Sequence, residues 1–222
     1  MTTALLTRPT IATPTTVDTA TVTPATEATP APAVTSDGDV DYRATYISFG
    51  LAYLFGHGSA ALAGGDTPLV AMPGWMPMAL LGIGMAIGTV NATRAALRAQ
   101  RGASDNDVRS AKLLGMSWVV GFTALFLAIT GLSASIGAPE LQTMLWPAGS
   151  GLIVGLIYLS EGATRRNTLH YTFGAYLALV STTALFFGTT GLFWILTIAG
   201  GGGYAIATLL EFRRQANRHT HH

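Results

Sequence analysis

Six stretches of about 20 residues, mostly apolar and almost uncharged, fill the chain beyond residue 42, at roughly 45–63, 74–93, 113–135, 142–160, 169–187 and 191–210. Each matches the ~30 Å hydrocarbon core of a bilayer as one α-helix. Inside lipid a backbone must satisfy its own hydrogen bonds, so uninterrupted apolar runs of this length predict helices. Only 10% of residues are charged, against roughly 25% in soluble domains. The expected fold is an all-α integral membrane protein, six transmembrane helices arranged as three hairpins.

The basic residues orient those helices. Connections 64–73, 136–141 and 188–190 contain no Lys or Arg. The other side holds all twelve: Arg8, Arg43, Arg94, Arg98, Arg101, Arg109, Lys112, Arg165, Arg166, Arg213, Arg214 and Arg218. The positive-inside rule makes that side cytoplasmic, so both termini are expected inside a cell's inner (plasma) membrane. Arginine exceeds lysine eleven to one and Ala, Gly and Thr abound, which suggests a GC-rich bacterial genome.

Residues 1–42 are rich in Thr, Ala and Pro, too poor in apolar surface to offset the entropy of ordering, and are expected to be a disordered cytoplasmic tail. The apolar core of "MTTALLTRPT", Ala4–Leu6, is too short for a signal-peptide h-region. The bundle is expected over 43–212 and a cytoplasmic tail over 213–222. Arg94, Arg98 and Arg101 recur at helical spacing, predicting that the second helix continues beyond the membrane and presents a basic stripe to anionic headgroups or a cytoplasmic partner. "SDND", Ser104 to Asp107, reads as the N-cap that starts the third helix.

Three helices share a rhythm. Trp75, Trp146 and Trp194 are each followed nine residues later by Gly84, Gly155 and Gly203, and nineteen residues later by Arg94, Arg165 and Arg213. This fits either a threefold hairpin duplication or the common need to anchor Trp at one interface and Arg at the other, about 28 Å apart. Gly84-x-x-x-Gly88 and Gly151-x-x-x-Gly155 are small-residue faces for close helix packing. The run Gly200, Gly201, Gly202 and Gly203 can either pack closely or break its helix, as transporters do to expose backbone to a substrate. Pro77 and Pro147 are expected in first helical turns.

One ionisable residue stands out. His57, in "YLFGHGSAALAGG", lies fourteen residues past Arg43, about 21 Å along a helix. At such depth ionisable groups face a bundle interior or a water-filled cavity, and the neutral imidazole is the expected form. Gly56 and Gly58 leave room for neighbouring helices. Ser59, Thr130, Ser133 and Thr182 are candidate hydrogen-bond partners for a structural histidine; a substrate or proton path is the alternative. Glu161 and Glu211 are expected to pair with Arg165 and Arg214 as interfacial anchors.

Absent cysteine removes disulfide, thiol and Fe–S chemistry. There is no P-loop, H-E-x-x-H or G-x-S-x-G motif. His170 falls at the opposite face from His57, against a bis-histidine haem. The terminal "HTHH" lacks supporting partners for a metal. No enzyme, metal or cofactor is therefore expected. The reading is a transport-related membrane protein, a small carrier or a permease-like subunit without its own ATPase; the alternative is a structural or regulatory subunit that binds a partner through the basic loop 94–112. Expected partners are the bilayer and either a separate nucleotide-binding subunit or a second copy of the chain, with no nucleic acid.

Overall fold

The structure, a computed structural model, describes residues 40–101 and 103–219, with side chains to Asn217. The chain divides into Met1–Val34, outside the described residues, and Thr35–His222. The expected disordered tail therefore lies outside the described residues as far as Asp39. Its last residues are ordered: Val40 and Tyr42 are buried.

The described residues are helical, with no strand among them. Helix α1 runs over 43–63, with a π-helical stretch at Ala52–His57. It is followed by α2 (Met76–Ala99), α3 (Asp105–Ile136), α4 (Gln142–Thr164), α5 (Thr168–Thr183, continued by a 3-10 turn Ala184–Phe187) and α6 (188–219). Local chemistry sets the ends. Ser104 and Asp107 form a reciprocal capping box at the start of α3, and Gly137 closes it with φ 66°. Asn167 caps α5 through a side-chain bond to the His170 N–H. Pro77 falls in the first turn of α2. Pro147 does not: α4 begins at Gln142, so the proline lies inside the helix and has no N–H to give to the Thr143 carbonyl.

Four segments are long and apolar enough to cross a membrane: Met76–Ala99, Asp105–Ile136, Pro139–Thr164 and Thr168–Asn217. The last spans 50 residues but turns back at Gly188, φ 67°. Across that turn Tyr176 Oη donates to the Ala199 carbonyl at 2.9 Å and the Phe173 and Tyr204 rings meet edge to face. Helix α1 is less apolar because it carries Arg43, Thr45, Ser48, His57 and Ser59, yet it is the best-buried helix, with Tyr46, Phe49, Ala52 and Tyr53 inside. Helices α2 and α3 bury little and expose Ile83, Ile87, Val119, Val120 and Leu127.

The closest packing joins α4 to α5 across the arginine-side connection. A Cβ at Gly155 would strike Ala178 and the Gly174 carbonyl, and one at Gly174 would strike the Leu159 backbone. Gly84 faces Ala52 of α1, and Gly203 faces Tyr176 of α5. Of the three glycines at equivalent places in the apparent repeat, Gly84 and Gly203 thus pack on the helix before their own, whereas Gly155 packs on the helix after it. The expected C-terminal tail is also partly structured, since α6 continues to His219.

Candidate functional site

The i, i+4 stripe Thr45, Phe49, Tyr53, His57 runs along the buried face of α1. Its far end reaches a cavity of about 560 Å³ toward the arginine-poor side of the bundle. Apolar side chains from α1, α2, α4 and α6 make most of the wall, among them Met78, Leu81, Trp146 and Phe193; Gln142, Thr143 and Ser150 add polar atoms. His57 lines this cavity and is only 3% exposed.

The imidazole makes ring contacts alone. Tyr53 meets it edge-on at 4.8 Å between centroids, and Phe193 stacks at 5.9 Å. No described residue hydrogen-bonds it, and the expected partners are engaged elsewhere. Ser59 Oγ donates to the Gly56 carbonyl, Ser133 Oγ to Ile129, and Thr182 Oγ1 to Ala178; Thr130 is exposed. The structural histidine bonded across the bundle is thus corrected to a buried polar group whose nearest open space is a cavity. Such groups are normally satisfied by protein, water or ligand.

The backbone around His57 is specialised. Gly56 lies against the Leu81 backbone, where a Cβ would come within 2.7 Å of its Cα, while Gly58 faces Thr197. The two glycines admit α2 on one side and α6 on the other. His57 ends the π-helical stretch of α1, and a second one, Leu196–Gly200, sits in α6 with Gly200 against the Tyr53 ring. Single π turns widen a helix locally and recur at functional sites.

The glycine run is not a break. Helix α6 continues through Gly200, Gly201, Gly202 and Gly203, because unwinding would leave amides unsatisfied among apolar neighbours. Gly200 and Gly203 admit the Tyr53 and Tyr176 rings, while Gly202 has nothing within 4 Å. Gly84, Gly88, Gly151 and Gly155 all sit in close contacts, with Ala52, the Phe49 ring, Ser181 and Ala178 respectively. Arg94, Arg98 and Arg101 are exposed, but α2 ends at Ala99, so Arg101 lies beyond the stripe.

A second polar group of residues sits at the arginine-rich end. Glu161 Oε1 accepts from Tyr42 Oη at 2.8 Å and from Arg165 Nε at 3.0 Å. Its Oε2 lies 3.4 Å from His170 Nε2, and Tyr46 Oη meets His170 Nδ1 at 2.6 Å. Both ring nitrogens have a partner direction when Tyr46 donates to Nδ1 and Nε2–H faces Glu161. Glu211, fully buried, accepts from Arg214, Gln215 and the Tyr42 N–H. Both predicted intrahelical pairs form, and Glu211 and His170 are fully buried, which the sequence does not signal. Burial pushes the Tyr42 hydroxyl's pKa up, the nearby Glu161 charge adding to it. No cluster of metal ligands occurs among the described residues.

The chain matches no protein-family model, no curated protein and no solved structure.

Proposed function

We propose that the chain is a small carrier-type transport protein of the cell inner membrane. It has six transmembrane helices in three hairpins, with the arginine-rich side and both termini in the cytoplasm. Its cavity takes a small, largely apolar solute bearing one hydrogen-bonding group, and His57 receives that group. The observation that carries this reading is a buried imidazole, hydrogen-bonded by no described residue, on the wall of a cavity large enough for such a solute. A neutral imidazole offers one donor and one acceptor and needs no charge on its ligand.

The test is a melting-temperature screen of the purified, detergent-solubilised protein against short carboxylates, amines, alcohols and amides with apolar tails. At least one class raises the melting temperature of the wild type, and His57→Ala abolishes that shift while melting unchanged without solute. Shifts that survive His57→Ala, or none in any class, overturn the reading. The exposed guanidinium groups of Arg94 and Arg98 favour a second reading, a subunit docked through loop 94–112. Repeated co-purification of one protein, lost on replacing both arginines with Gln, supports that instead.

A further inference from the structure

The His57 cavity is walled by rings. Phe193, His57, Tyr53, Tyr204 and Phe49 all line it, and each meets the next, with centroids 5.9, 4.8, 5.2 and 6.1 Å apart in that order. This row, drawn from α1 and α6, is one continuous aromatic surface. Trp146 of α4 adds a further ring, packed at 6.2 Å on Phe126, which lies outside the cavity. Helix α2 adds the thioethers of Met78 and Met85. Trp146 and Phe193 are only half-buried, so their rings are open to contact, while Phe49, Tyr53 and Tyr204 are buried behind the surface.

The polar content of the wall is small. No Asp, Glu, Lys or Arg lines the cavity. The Tyr53 hydroxyl faces Ser181 and the Tyr204 hydroxyl faces Tyr158, neither of which belongs to the wall. The two tyrosines therefore contribute ring rather than oxygen. His57 differs. Its nitrogens are not among the enclosed polar atoms without a partner, which are Thr45 Oγ1, Tyr158 Oη, His170 Nε2 and Ser181 Oγ. Since no described residue bonds it, the imidazole keeps access to the space it lines. Met78 and Thr143, in the first turns of α2 and α4, are exposed and mark the mouth. Val154, buried, lies about 17 Å further along α4.

Two physical preferences follow. A wall without charge disfavours an ion, which loses its hydration and gains no counter-ion. A saturated apolar body gains only from burial, whereas a planar aromatic one also gains offset or edge-to-face contacts with rings and sulfur contacts with methionines.

We infer that the solute of this cavity is an uncharged arylalkyl compound, its ring held against Trp146, Phe193 and the two methionines and its hydroxyl or amide group on His57. The inference deepens the carrier reading and rests on it. Its test is a pair of compounds that differ only in ring saturation, 3-phenylpropan-1-ol and 3-cyclohexylpropan-1-ol, repeated with the two corresponding propanamides. The cyclohexyl member is the more apolar, so hydrophobic burial alone ranks it first. Dissociation constants are read from melting-temperature titrations of the full chain in lipid nanodiscs.

The phenyl member binds at least fivefold tighter in one or both pairs. Trp146→Leu and Phe193→Leu bring the members of that pair within twofold of each other, Trp146→Phe keeps the preference, and His57→Ala weakens both members alike. Should one leucine variant fail to fold, the other carries the test. Equal affinities in the wild type, or a cyclohexyl preference, overturn the aromatic assignment and leave the carrier reading standing where His57→Ala still weakens binding. A phenyl preference retained by the folded leucine variants overturns the role given to Trp146 and Phe193. A phenyl preference with affinities untouched by His57→Ala overturns the carrier reading instead, and binding by none of the four compounds overturns this inference.

Discussion

At the scale of single residues, this protein places its polar groups with little redundancy. Glu211 answers Arg214, Gln215 and the Tyr42 amide from a position with no solvent exposure. Removing one partner of such a cluster strands the rest, and breaking a buried ion pair costs about 3 kcal/mol or more. Glu211→Ala is therefore expected to lower the unfolding midpoint in detergent by several degrees, while Arg94→Gln, on an exposed guanidinium, leaves it unchanged. Asp41 behaves differently. The Arg43 guanidinium bonded to it holds its carboxyl below the ordinary carboxylate range. The folded-state value lies below the unfolded one, so the contribution is present above the unfolded range and is lost as pH falls through the folded value. Both partners are more than a third exposed, so the effect stays under about 1 kcal/mol. Asp41→Asn should flatten only the acid limb of stability against pH, below about pH 4, and a pH series of thermal melts checks it.

At the scale of helices, caps and glycines decide where elements begin and how closely they meet. Ser104→Ala removes one half of the capping box and should cost about 1 kcal/mol, seen as faster amide exchange confined to the first turn of α3. The glycines divide by what lies opposite. Gly155→Leu drives a side chain into the Ala178 and Gly174 backbone and should prevent α4 and α5 from closing, read as loss of monodisperse folded protein. Gly202→Leu meets open space and should be tolerated. Both positions sit in glycine-rich helical sequence, and nothing in that sequence separates them. The same holds for Pro147: its place after Trp146 looks like a helix start, but the 3-10 turn at Pro139–Leu141 begins the element earlier.

At the scale of the whole molecule, the exposed apolar faces of α2 and α3 and the buried polar stripe of α1 form one design. The most polar of the long helices is enclosed, and α3, the most apolar of the four long apolar segments, buries little. The six-span reading makes a direct prediction: Thr67→Cys and Ala138→Cys label from one side of the membrane, and Asn217→Cys from the other. Labelling of all three from one side would rule it out.

Helix positions and the grouping of arginines were legible in the chain because both depend on local run length and charge, which no tertiary contact needs to supply. Two features of His57, its burial and its flanking glycines, were legible for the same reason. What surrounds it was not. Whether an imidazole finds a hydroxyl or a cavity depends on which faces of α2, α4 and α6 turn toward α1, and side-chain volumes distributed over four distant segments settle that. The burial of His170 and Glu211 and the enclosed, unbonded hydroxyls of Thr45 and Tyr158 are likewise products of packing. Sequence by itself determined a chain of apolar helices with one arginine-rich end; tertiary structure decided where that bundle is hollow, because a void belongs to no residue and exists only where several helices fail to meet.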